Sequence, residues 1–153
     1  MTNEYVITKF IHVTLAIVAV GFNLSYAIWI VRSAREPEHI GFVMRTIRWI
    51  DSRIANPAYG VLLVSGLFMA FSSGLPLTTF WIAAALALYL LAVILGIAVI
   101  APNFRAQLRA LETEGPASEA FRSAAARGRA FGLLVSLVVV AIVFLMVTKP
   151  VLG

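Results

Sequence analysis

From Ile54 to Phe104 the chain carries no Asp, Glu, Lys or Arg. A water-exposed surface does not run that long without charge, because a small domain leaves much of its surface in solvent and needs polar side chains there. Composition agrees: 61% of the 153 residues are hydrophobic and 12% are charged, against about 25% charged in an ordinary soluble domain. The mean hydropathy is +0.97. A disordered chain needs the opposite balance. The reading that remains is a single integral membrane domain over residues 1–153.

Crossing the bilayer core takes about 20 apolar residues. Four segments qualify, at about 5–31, 53–73, 79–101 and 127–148. Open strands cannot span lipid, because their backbone groups go unpaired there. The sequence therefore predicts an all-α fold, a four-helix transmembrane bundle. The first apolar run, Phe10 to Val31, exceeds the roughly 7–15 residues of a signal-peptide core and is read as a retained span.

Ten arginines fall into two loops. Arg32, Arg35, Arg45, Arg48 and Arg53 follow span one, and Arg105, Arg109, Arg122, Arg127 and Arg129 follow span three. The short loop after span two has none. The positive-inside rule then predicts a bacterial inner-membrane protein with both basic loops in the cytoplasm and both termini outside. Trp29 and Trp81 fall at the two interfaces. The net charge of +5 and pI of about 10.2 thus encode orientation rather than nucleic-acid binding.

Between spans one and two, Ile40, Val43, Ile47, Ile50 and Ile54 recur at helical spacing, with Arg45, Arg48 and Arg53 on the other side. This predicts an amphipathic cytoplasmic helix, either lying on the inner leaflet or extending span two. Its arginines are candidate contacts for anionic lipid. Asn56-Pro57 reads as a kink or a fresh start, with Asn as cap. A helical extension of span three ends at Gly115-Pro116, and Ser118 opens the last helix. Ala92-x3-Gly96 and Gly132-x3-Ser136 read as small-residue pairs for close helix packing.

Span one carries the candidate chemistry. His12 and Asn23 are about 20° apart in azimuth, with Tyr5, Lys9 and Tyr26 close to the same stripe. An ionisable residue at membrane depth points to a functional site. Lys9 can also snorkel to the headgroups, and His12 or Asn23 can serve as interhelical hydrogen-bonding residues. Lys149 closes span four and would add to a basic cluster with Lys9 and His12 suited to a carboxylate-bearing ligand; its alternative role is an interfacial anchor. His39 lies beside Glu38 on the other side of the membrane, so a bis-histidine haem would need a second chain. Met69 and Met146 with His12 would form a soft copper(I) site, although packing is the commoner use of methionine.

The absences narrow the field. No cysteine means no disulfide, thiolate site or iron–sulfur cluster. No carboxylate lies within a predicted span, which argues against a carboxylate relay or di-metal site. Neither a P-loop nor a Gly-rich dinucleotide fingerprint is present.

Three stretches carry a resemblance. They are Lys9-x2-His12, Ile54-Ala55-Asn56-Pro57-Ala58-Tyr59-Gly60, and the run from Ala141 to Pro150. Together they resemble an uncharacterised bacterial family of four-helix membrane proteins, over essentially the whole chain. More distantly they resemble the HemJ family of membrane protoporphyrinogen oxidases, and the first-span pair is similar to the membrane domain of CopD-type copper proteins. The HemJ resemblance implies haem b, with His12 as axial ligand and Lys9 near the porphyrin. The lysine and terminal histidine of the HemJ third span are absent here, where the segment reads Trp81-Ile82-Ala83-Ala84-Ala85 and ends Gly96-Ile97-Ala98-Val99-Ile100.

Three functional readings follow from the sequence. One is a haem- or porphyrin-binding redox protein using His12, with Lys9 and Lys149 as propionate partners. The second is a structural or assembly subunit of a membrane complex, or a homo-oligomer, in which the polar stripe joins helices. The third is a small copper-handling or transport protein.

Overall fold

The computed structural model describes residues 3–150. Helix α1 spans Asn3–Ser33 and a short 3-10 turn, Pro37–His39, leads into α2, Ile40–Ile50. A π-helical segment, Asp51–Ala55, joins α2 to α3, Asn56–Ser72. Helix α4 is Phe80–Leu95, and a second π segment, Gly96–Ile100, runs into α5, Ala101–Glu114. Helix α6 is Glu119–Thr148. Four continuous helical stretches are long and apolar enough to cross a membrane: Asn3–Ser33, Pro37–Ser72, Phe80–Glu114 and Glu119–Thr148. The four-span bundle expected from hydropathy is therefore present.

Both π segments have the same cause. Pro57 lacks an N–H, and its ring crowds the carbonyl of Arg53 four residues back; Pro102 does the same to Ala98. Just before each proline the ladder widens to bonds of five residues, from Asn56 N–H to the Asp51 carbonyl and from Ala101 N–H to the Gly96 carbonyl. The helix passes the proline without breaking. Asn56 is accordingly not the cap of a fresh helix. Its side-chain nitrogen donates to Asp51 Oδ2 at 3.2 Å instead. The other predicted punctuation holds: Gly115 takes φ 86° after α5, and Ser118 caps α6 by accepting from the Phe121 N–H at 3.2 Å.

About twenty residues fill a bilayer core. Twenty back from Ser72 reaches Arg53, twenty on from Phe80 reaches Val99, and twenty back from Thr148 reaches Arg129. Beyond that level α2, α5 and the first turns of α6 project by about 15–20 Å at the arginine-rich end. The amphipathic helix thus extends span two rather than lying flat.

The apolar face of α2 is covered by protein. Ile40 and Met44 pack with Leu108, Ala110 and Phe121, flanked by Phe104 and Leu111. This core lies where water would otherwise reach it, so burial is driven hydrophobically. Within the membrane level no such drive exists, and large side chains face outward: Ile17 is 69% exposed and Val147 76%. There the helices meet through small groups. α1 packs on α3, where Ala19, Ala58, Ser65 and Ala70 are buried, and α4 packs on α6 around Ile82, Ala85, Val135, Val138 and Val139.

The predicted small-residue pairs are not the close contacts. A Cβ added at Gly96 or Gly132 would meet nothing within 4 Å. The approaches that need glycine are Gly66 against His12 and Gly128 against Asn103.

Candidate functional site

Helix α1 turns its polar stripe to α3, as the azimuths require. His12 Nδ1 lies 2.8 Å from Ser65 Oγ. The single Ser65 proton goes to the Val61 carbonyl at 2.6 Å, the usual back-bond of a helical serine, with the Leu62 carbonyl as a longer acceptor at 3.2 Å. Ser65 Oγ therefore accepts from the His12 Nδ1–H. In the tautomer with the proton on Nδ1, that bond leaves Nε2 as the acceptor nitrogen, its lone pair in the ring plane. Gly66 gives the ring its place: a Cβ there would come within 3.2 Å of His12 Cε1. Ser65 stands about 18 Å by helix rise from the level of Arg53, near the middle of the membrane core. Met69 is half-buried one turn beyond Ser65 on the same face of α3.

Asn23 belongs to a second cluster, nearer the arginine-rich end. Its Nδ2 donates to the Tyr59 hydroxyl oxygen at 3.1 Å, and that hydroxyl donates to the Ala19 carbonyl at 3.4 Å. Tyr89 on α4 donates to the Tyr59 carbonyl at 3.0 Å. Three helices are thus tied at one level. Tyr26, the last residue of the stripe, has a buried hydroxyl with no partner among the described residues.

The two lysines are placed apart from these bonds. Lys9 is exposed on α1, one turn before His12. Lys149 ends α6 in the left-handed conformation, at φ 45°, and sets its ammonium 5.4 Å from the Trp81 ring centroid on α4. That is a cation–π contact. No hydrogen bond joins Lys149 to Lys9 or His12 among the described residues. His39 lies at the arginine-rich end, 3.4 Å from Glu36 and 3.8 Å from Glu38.

Ser65, Tyr59 and Tyr89 escape a reading of span one alone. Their signal is isolation: Ser65 is the one polar residue between Tyr59 and Ser72, and Tyr89 the one between Trp81 and Asn103. Asn103 forms a further clasp, donating to the Ala124 carbonyl at 2.9 Å and accepting from Arg127 Nε at 3.3 Å, in the space left by Gly128. It fastens α5 to α6.

Chemically, the α1–α3 seam offers one imidazole oriented by Ser65 through Nδ1, with Nε2 as its second nitrogen. That nitrogen can ligate a metal or accept a proton. Among the described residues no three of His, Asp or Glu stand together as a metal site. No curated protein and no solved structure matches the chain. A match does come from DUF2269, a family described as predicted integral membrane proteins, over residues 6–150, and the chain belongs to that family.

Proposed function

We propose that this membrane protein is a haem- or porphyrin-binding redox protein of the bacterial inner membrane, with His12 as its ligand. One observation carries the reading. The His12–Ser65 bond consumes Nδ1 and leaves Nε2 as an oriented lone pair at membrane depth, the arrangement by which a hydrogen-bonded histidine serves a metal. Of the residues present, His12 would hold the iron. Lys9 and Lys149, both cationic and both on the side of His12 away from the arginines, suit propionates. Asn23 shares the stripe but lies about 16 Å further along α1 and is bonded to Tyr59, so it stands apart from the His12 site. Haem b, when bound, would supply one-electron chemistry. This chain's part is to orient the imidazole, exclude water and hold the carboxylates. A second histidine ligand would have to come from a second copy, since His39 is at the other end.

A rival reading has its own observation. Asn23, Tyr59 and Tyr89 spend their hydrogen bonds helix to helix. This favours a structural or assembly subunit of a membrane complex, in which the seam holds the bundle together.

The arginine-rich end is assigned to the cytoplasm and the termini to the outside, on the charge asymmetry. Arg53 then sits at the inner headgroups and Arg48 within reach of them, as contacts for anionic lipid. Arg45 stands about 12 Å beyond Arg53 and reaches the lipid least.

The test is the absorption spectrum and metal content of protein purified in mild detergent. A Soret band lost in His12→Ala is the expected result. Colourless, metal-free protein that behaves as wild type after His12→Ala would remove the ligand reading and leave the structural one. Copper without a Soret band, lost in Met69→Leu, would move the assignment to copper handling. Reporter fusions at Ser73 and Gly115 should report outside and inside respectively.

A further inference from the structure

The stripe of α1 that faces away from the bundle runs into Arg32, with Arg35 in the turn that follows. Ile17, Leu24 and Ile28 are exposed along it, at 69%, 46% and 70%. At its end Ala27, Ile28, Val31, Arg32 and Arg35 line a shallow depression of about 410 Å³. Ala27, Ile28, Val31 and Arg32 share one face of α1, and Arg35 follows in the turn after Ser33. The floor is apolar and the charge is confined to one end.

Depth decides what this depression can hold. Asn23 is bonded to Tyr59, which lies about 9 Å inside the level of Arg53. The same level on α1 therefore falls near Trp29. Ala27 and Ile28 lie in the hydrocarbon, and Val31 at its edge. Arg32 stands about 5 Å beyond and Arg35 follows in the turn after the helix, where headgroup phosphates lie and long guanidinium stems reach back to them. Neither arginine makes an ion pair within the chain among the described residues; the nearby carboxylates of Glu36 and Glu38 are engaged by His39.

We infer that α1 carries a binding site for one anionic phospholipid. The phosphate lies between Arg32 and Arg35, and an acyl chain runs along Ile28, Leu24 and Ile17. A phospholipid satisfies both ends of the depression. A free phosphate would meet the charges but leave the apolar floor uncovered. The site is separate from the His12 seam and from the contact proposed at Arg48 and Arg53, so it stands whatever the fate of either.

Trp29, 56% exposed on the same turn, is a built-in reporter. Trp49→Phe with Trp81→Phe leaves it as the single indole, in full-length protein reconstituted in phosphatidylcholine vesicles. Brominated phosphatidylglycerol and brominated phosphatidylcholine are then compared as quenchers at equal mole fraction. The expected result is an apparent association constant about fivefold higher for the anionic lipid, the worth of roughly one guanidinium at the surface. Arg32→Gln with Arg35→Gln should bring the two lipids level, while Arg32→Lys with Arg35→Lys keeps the preference. Arg48→Gln with Arg53→Gln should leave it unchanged. Equal quenching by the two lipids in the parent protein would overturn the assignment. So would a preference that survives in the Gln pair at unchanged helical circular dichroism, or one abolished by millimolar inorganic phosphate.

Discussion

Gly66→Ala probes the His12 seam without touching its hydrogen bonds. The added methyl would sit 3.2 Å from His12 Cε1, a few tenths of an ångström inside ordinary contact. Overpacking of this kind costs about 1–3 kcal/mol. Against it stands the gain of replacing a helical glycine by alanine, about 0.8–1.0 kcal/mol. In the parent protein the two effects oppose, and the net change should run from near zero to about 2 kcal/mol of destabilisation. In a His12→Ala background the clash is gone and only the gain remains, so the same substitution should stabilise by up to about 1 kcal/mol. The sign reversal is the signature. The assay is a double-mutant cycle, with unfolding in mixed micelles followed by circular dichroism. A coupling energy of about 1–3 kcal/mol is expected. If Gly66→Ala has the same effect with and without the imidazole, the ring does not lie on Gly66. The His12–Ser65 bond would then fall with it.

Three further outcomes follow from the packing. Tyr59→Phe removes both hydroxyl bonds at the three-helix tie, and should cost between about 0.6 and 1.7 kcal/mol in the same unfolding assay, the range for interhelical bonds in lipid. Met44→Ala, at a side chain only 2% exposed in the water-side core, should cost about 2–5 kcal/mol, whereas Val147→Ala, 76% exposed, should scarcely register. Gly128→Val would bring a Cβ to 3.1 Å from Asn103 Nδ2 and should loosen α5 from α6, read as faster amide exchange over 103–114 with the span segments unchanged.

The span count was legible because the bilayer imposes it: each span is long, uncharged and apolar, and hydropathy alone reports that. The polar stripe was legible for the same reason, since Asn23 and His12 have no place on a lipid-facing surface. What hydropathy does not carry is pairing. Ser65 and Tyr59 sit about 120° apart on α3 and form no stripe of their own; they were identifiable only once α1 lay against that helix. The same holds for the glycines. The pairs around Gly96 and Gly132 matched a familiar spacing and face no close neighbour, while Gly66 and Gly128, in no such pattern, accept the side chains of His12 and Asn103. Spacing along one helix says that a close approach is permitted. Only the facing helix says where it occurs.

The seam also divides by what it leaves over. At the level of Asn23, the Tyr59 and Tyr89 hydroxyl protons find backbone carbonyls and the Asn23 amide finds the Tyr59 oxygen, so the cluster can hold helices together and has little left to offer a ligand. At His12 the balance differs. Ser65 receives the Nδ1 proton and passes its own to Val61, and one ring nitrogen is left over. A residue needed only to join α1 to α3 could be an asparagine, which keeps an N–H donor for Ser65 and offers no imidazole nitrogen to a metal. His12→Asn therefore separates the two roles. If the seam is structural, asparagine should keep the bond to Ser65 and the wild-type behaviour. If His12 is a ligand, His12→Asn should preserve the fold and lose the Soret band. Stability that falls as far as in His12→Ala would show that asparagine does not reproduce the bond, and Ser65→Ala would then give the cost of that bond.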